Sequence, residues 1–194
     1  RADGHALVAN SAALTAAGIT DETPDPDGGK IERDADGHAT GILIDNAMAA
    51  AGALLAQPDE AGLRKALSTG ARVYASRGWT GLQNMSVAPE EAPLMADLDA
   101  EGALPIRIYN AFDLAGFDLA AAHANETDTI TNRAVKFYMD GALGSRGAQL
   151  IRPYSDRPDT SGLSLTSDDA LADLMAKADQ LGVQLAIHAI GDLA

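Results

Sequence analysis

Cysteine is absent from the 194 residues. That excludes disulfides, thiolate nucleophiles and cysteine-type zinc sites, so any metal must be held by histidine, carboxylate or a less common ligand. Basic residues are scarce: 14 Lys and Arg stand against 28 Asp and Glu, a formal net charge of -14. A phosphate backbone would be repelled, which argues against nucleic acid as a partner. Aromatic residues make up only 4%. No apolar run approaches the roughly 18 residues a membrane helix needs, so no membrane partner is expected. No Gly-x-Ser-x-Gly elbow and no Walker-type Gly-Lys-Ser/Thr occurs, which leaves serine hydrolysis and nucleotide phosphate binding without support.

What remains is a soluble, mixed composition, 46% hydrophobic and 22% charged, long enough to bury a core. Its texture changes near residue 58. Residues 1–57 are rich in Asp, Gly and Ala and read as a loop-rich subdomain. Asn10 and Ser11 start a short helix that Gly18 closes. Thr23-Pro24-Asp25-Pro26-Asp27-Gly28-Gly29 is a dense turn cluster, and Lys30-Ile31-Glu32-Arg33 with Asp36-Gly37 reads as a strand and a turn.

From Pro58 onward, helices and strands alternate. Helices are predicted over 59–76, 90–101 and 117–123, and after a Ser167 cap. Strands are predicted at Gly78–Asn84, Leu104–Asn110, Arg133–Met139 and Gly182–His188. Strict alternation of this kind means an α/β fold with a parallel sheet. Both a doubly wound sheet and a (β/α)8 barrel fit the rhythm, and a whole barrel takes about 250 residues.

Two strands carry polar residues among apolar ones. Val135, Phe137 and Met139 share one face by alternation, and Ala134, Lys136 and Tyr138 the other. On the last strand Gln184, Ala186 and His188 share a face. Lys136 and His188 would then point inward near the C-terminal strand ends, where β/α folds build their sites. A desolvated lysine amine has a lowered pKa and can take up carbon dioxide as a carbamate, an anionic oxygen ligand. Lys136 can equally pair with an acid such as Asp140, or lie on a solvated edge. His188 has the chemistry of a metal ligand, or is a half-buried histidine bonded to backbone. Asp140 to Ala148 is a glycine-rich loop that could cradle an anionic group, with Arg146 as a charged anchor. On spacing, His5, His38 and His123 read as surface residues, His5 having the alternative of reaching into a site as a lid residue, and Asp192 reads as a helix cap.

The blocks Asp3-Gly4-His5-Ala6, Asn10-Ser11-Ala12-Ala13-Leu14, Thr23 to Gly29 and Thr40-Gly41-Ile42-Leu43 resemble those of amidohydrolase family 3. So do Val135 to Ala148, Pro153-Tyr154-Ser155-Asp156 and Ala186 to Asp192, in the family's order. The resemblance implies a metal-dependent hydrolase of C–N amide-type bonds, with a small-molecule amide as substrate. It implies a partial (β/α)8 TIM barrel carrying strands two to five in 58–194. Residues 1–57 would be part of a subdomain inserted between strands one and two. It further implies two divalent ions, as zinc, with carbon dioxide bound as a carbamate at Lys136.

Lys136 and His188 would be the catalytic metal ligands, and His5, Asp140 and Arg146 would meet substrate. The family also needs a His-x-His on strand one, a His on strand six and an Asp on strand eight. The expectation is therefore an internal piece of a longer chain, inactive by itself and poorly soluble because of two open sheet edges. A cytoplasmic location and a homo-oligomer are compatible with it. Rival readings are a non-catalytic small-molecule binder on the same barrel, a plain α/β domain with Lys136 ion-paired, and a one-ion enzyme without carbamate.

Overall fold

A computed structural model describes residues 1–56 and 58–194. Residue 57, the last of the predicted loop-rich segment, lies outside the described residues. The chain divides into two compact units. One takes Arg1–Ala56, Tyr138–Ala170 and His188–Ala194; the other takes the described residues of Gln57–Phe137 with Leu171–Ile187.

The first unit opens with β1 (Ala6–Val8) and α1 (Ser11–Ala16), then β2 (Gly29–Arg33), β3 (Ala39–Asp45) and α2 (Met48–Gly52). Asn10 starts α1 as predicted, its side chain accepting the Ala13 N–H at 2.9 Å. The strands form an antiparallel sheet in the order β1-β3-β2. The predicted turn at Asp36-Gly37 joins β2 to β3, with Gly37 at φ 90° and Arg33 opposite Ala39. Ile31 and Leu43 point to one side and pack with Ala9, Ile19, Ala47 and Ala51. Sequence pattern missed β1 and β3 because three- and seven-residue strands broken by Gly41 leave little periodicity to read.

The second unit carries α3 (Glu60–Ser76), β4 (Gly81–Val87), α4 (Glu91–Ala100), β5 (Arg107–Phe112) and α5 (Phe117–Ala121). It continues with β6 (Ile130–Tyr138), α6 (Asp168–Leu181) and β7 (Gln184–His188), β6, α6 and β7 each running into the first unit at one end. The sheet order is β4-β5-β6-β7, and β4, β5 and β6 run parallel. This is the mixed α/β fold with a parallel sheet that alternation predicts. Asp59 caps α3 by accepting the Gly62 N–H at 2.8 Å, and Ser167 caps α6 by accepting the Ala170 N–H at 3.2 Å.

Strand ends shift from their predicted positions for local reasons. Residues 78–80 belong to the stop of α3: Gly78 sits at φ 88° and Trp79 N–H bonds the Tyr74 carbonyl. Pro105 has no N–H to offer a ladder, and β5 begins two residues later. Gly182, at φ 68°, and Val183, bonded to the Ala178 carbonyl, close α6 rather than open β7.

The core of the second unit lies between sheet and helices, built from Met95, Leu98, Ile108, Phe112, Phe117 and Val135 among others. The predicted faces of β6 hold, since Val135, Phe137 and Met139 are all buried. On β7 the apolar face is weaker: Ile187 is exposed, as befits the edge strand of the sheet. One polar line crosses the interior. Asn84, Asn110 and Asn132 lie directly opposite one another on β4, β5 and β6. Asn84 Nδ2 donates to Asn110 Oδ1 at 3.2 Å, and Asn110 Nδ2 donates to Asn132 Oδ1 at 2.8 Å.

Candidate functional site

His188 ends β7, and the backbone around it is tightly specified. Its carbonyl accepts the Met139 N–H at 2.8 Å. Its imidazole Nε2 lies 3.2 Å from the Gly141 carbonyl and 3.8 Å from Asp140 Oδ1, with the side chain 14% exposed. Nε2–H donating to that carbonyl leaves the Nδ1 lone pair available, which is the state of a metal-ligating histidine.

Asp140 lies beneath it with no exposure. Its carboxylate accepts three backbone N–H groups: Gln149 at 2.8 Å, Gly191 at 2.7 Å and Ile190 at 3.0 Å. The amides that cradle this carboxylate thus come from Gln149, just past the glycine-rich stretch, and from Ile190-Gly191, and the anion they hold is the chain's own Asp140. The amides of Gly141, Arg146, Gly147 and Ala148 bond carbonyls within the loop. Arg146 adopts φ 57° and forms a two-pronged pair with Asp156, Nη2 to Oδ2 at 2.8 Å. That pair holds the Asp156 carboxyl below the usual carboxylate range. Asp192 accepts the Ile151 N–H at 2.9 Å and so anchors a loop instead of capping a helix.

His5 departs furthest from the surface position its spacing suggests. Its Nδ1 lies 2.7 Å from Asp45 Oδ1, and the two side chains are 12% and 3% exposed. Its ring sits 4.8 Å from that of His188 and 6.1 Å from that of Tyr138, and the Tyr138 and His188 rings are 5.2 Å apart. The first unit thus gathers His5, Asp45, Tyr138, Asp140 and His188 from three separated stretches of the sequence. His38 and His123 remain on the surface as predicted, paired with Asp21 and Glu126.

Asp45 is the residue that sequence reading missed. Burial pushes its carboxyl up, against the lowering effect of the His5 hydrogen bond. The signal was available: Ile42-Leu43-Ile44-Asp45 is a polar group at the end of an aliphatic strand, the same pattern that singles out His188.

Lys136 lies on β6 within the second unit and is half-buried, and burial lowers its pKa. Among the described residues, no group of three or more histidine and carboxylate side chains forms a metal cage. The donors present still suit a divalent ion in kind. His188 offers one imidazole lone pair, and the Lys136 amine is pushed toward the neutral form that carbon dioxide can modify.

Comparison with known proteins extends this. The sequence profile of the amidohydrolase family matches residues 1–194. YtcJ of Bacillus subtilis is 35% identical over 98% of this chain and 37% of its own length. The N-substituted formamide deformylase of Arthrobacter pascens is 31% identical over 98% of the chain and 37% of its own length. The crystal structure of a metal-dependent hydrolase from Pyrococcus horikoshii OT3 superposes with a TM-score of 0.71 at 28% identity, covering 97% of this chain and 38% of that one. The chain thus spans well under half the length of the relatives it matches.

Proposed function

Since the chain belongs to the amidohydrolase family, we propose that it supplies part of a metal-dependent hydrolase that cleaves the C–N bond of a small-molecule amide. The observation that carries this reading is His188, held at the end of β7 with Nε2 on the Gly141 carbonyl and Nδ1 left open. The similarity to an N-substituted formamide deformylase supports an amide or formamide substrate. In this reading β4, β5, β6 and β7 are strands two to five of a (β/α)8 barrel, in keeping with their order and the parallel pairing of the first three.

His188 and Lys136 are the residues that would hold divalent metal, as two zinc ions. For Lys136 this requires carbamylation: the neutral amine nitrogen bonds the carbon of carbon dioxide and gives up a proton. A bound divalent ion would supply Lewis acidity toward a substrate carbonyl and lower the pKa of water. The chain's own part is orientation. Asp140, fixed by three amides, holds the 190–191 backbone in place directly after His188. His5 presents an imidazole edge next to the His188 ring. Arg146, paired with Asp156, stiffens the glycine-rich loop.

The test is metal content and hydrolysis of N-substituted formamides by the full-length protein. Stoichiometric zinc and turnover are expected, both lost in His188→Ala. A protein that binds such amides without cleaving them and without metal would place it among non-catalytic binders.

A further inference from the structure

We propose that Asp45 is a positioning residue for His5: its carboxylate holds the imidazole in the Nδ1–H tautomer and leaves Nε2 as a lone-pair acceptor for an N–H or O–H group of the substrate. The substrate-facing half of this statement rests on the hydrolase reading; the tautomer does not.

Main-chain pairing brings the two residues together across 40 positions of sequence. β1 and β3 run antiparallel with Ala6 opposite Ile44, and the Asp45 N–H donates to the His5 carbonyl at 3.2 Å. The side-chain contact of 2.7 Å between Nδ1 and Oδ1 is then built on a fixed backbone, not on a mobile surface pair. The rings of His188 and Tyr138, themselves neighbours, lie beside the imidazole at 4.8 and 6.1 Å.

Stability alone does not account for this arrangement. Asp45 adopts φ 47°, a left-handed conformation that is strained for a residue with a side chain. Its Oδ2 is buried and finds no hydrogen-bond partner among the described residues, an uncompensated desolvation of a charged group. The single charge-assisted hydrogen bond to His5 is all that offsets these two costs. An apolar side chain at the strand end would serve the fold as well or better.

The surroundings are nevertheless shaped to the carboxylate. A Cβ on Gly141 would lie 2.2 Å from Oδ2, and one on Gly147 would lie 2.3 Å from it. Two glycines of the loop after β6 thus leave room for this one oxygen. A carboxylate kept at a net cost, in a fitted niche, against one nitrogen of an imidazole fixes which nitrogen carries the proton. His5 then differs from a free neutral imidazole in having its Nε2 unprotonated and held in a fixed direction.

The test is nitrogen NMR of the full-length protein with 15N-labelled histidine, at neutral pH, with His5 assigned through His5→Gln. The expected His5 pattern is a pyrrole-like Nδ1 and a pyridine-like Nε2. Asp45→Ala should move His5 toward the Nε2–H tautomer, and Asp45→Asn, whose Oδ1 still accepts, should restore the wild-type pattern in part. A wild-type His5 in the Nε2–H form, or protonated on both nitrogens, overturns the proposal even if Asp45→Ala does not fold. So does an unchanged tautomer in a folded Asp45→Ala protein. The spectrum needs neither metal nor turnover, so the loss of the hydrolase reading would leave the tautomer result standing, and the reverse holds too.

Discussion

Asn110 donates from Nδ2 to Asn132 Oδ1 at 2.8 Å with both residues wholly buried, one strand apart in the parallel sheet. Asn132 passes the chain on by donating to the Ala124 carbonyl at 2.7 Å, and Asn84 feeds it from the other side at 3.2 Å. Asn110→Ala should therefore strand an acceptor on Asn132 and a donor on Asn84. The expected loss is about 2–4 kcal/mol, read as a lowered denaturant midpoint at unchanged m-value. A loss below roughly 0.5 kcal/mol would mean that the ladder adds nothing to the sheet.

Asp140 offers a second case of a buried polar group whose partners come from the backbone. Asp140→Ala leaves the Gln149, Ile190 and Gly191 amides without an acceptor. A destabilisation of at least about 3 kcal/mol is expected. Amide hydrogen exchange should speed up at residues 149, 190 and 191 before it does so in β4 or β5. Equal acceleration across the sheet would contradict the local role.

The glycines facing Asp45 give a coupled prediction. Gly141→Ala and Gly147→Ala should each destabilise the protein, because the added methyl collides with Asp45 Oδ2. Either change should cost less in an Asp45→Gly background, where the colliding oxygen is gone. A double-mutant cycle measures the difference, expected at about 1–3 kcal/mol; strict additivity would refute the fitted niche.

Glu126 sets a pH dependence. Arg133 donates to it through Nε at 2.8 Å and Nη2 at 3.0 Å, and the Asn132 N–H donates at 2.9 Å. These bonds, the Arg133 pair first, hold its carboxyl below the ordinary value of 4.5. A depressed pKa means that the unfolded chain takes up the proton first. The stabilisation is full above pH 4.5 and fades as pH falls through the lower folded value. Glu126→Gln should flatten that acid limb in thermal melts taken across it, with a midpoint below the wild type's at neutral pH and converging on it as pH falls.

Lys136 is tested by bicarbonate. Zinc uptake by the full-length protein should rise with added bicarbonate, and Lys136→Ala should abolish the dependence. Uptake indifferent to bicarbonate would favour a metal site without carbamate.

Much of the fold was legible because its signals are local. Asn10 and Ser167 start their helices, and Gly18, at φ 71°, closes the first, as their residue types predict. The face of β6 that buries Val135, Phe137 and Met139 follows from simple alternation. The cluster around His188 was only half legible. His188 announces itself at a strand end, but His5 is placed by an antiparallel pairing with a strand some 40 residues away, which no window of sequence contains. The role of Asp140 was hidden for the same reason, since its partners at 190 and 191 lie 50 and 51 residues further on. Spacing favoured His5 as a surface histidine over a lid residue, and the family resemblance pointed it toward substrate.

The first unit is assembled from three separated stretches, the last of which begins at His188. This bears on the order in which the chain folds as it leaves the ribosome. The succession α3, β4, α4 and β5 closes short loops and can pack as it is made. The first unit must wait: the Asp140 carboxylate stays solvated, and the His5 ring lacks its neighbour, until residues 188–191 have emerged. The cluster of histidines and carboxylates is thus the part of this chain with the longest wait before it can form, and the stretch in which a pause or truncation during synthesis would leave the most polar groups unmatched.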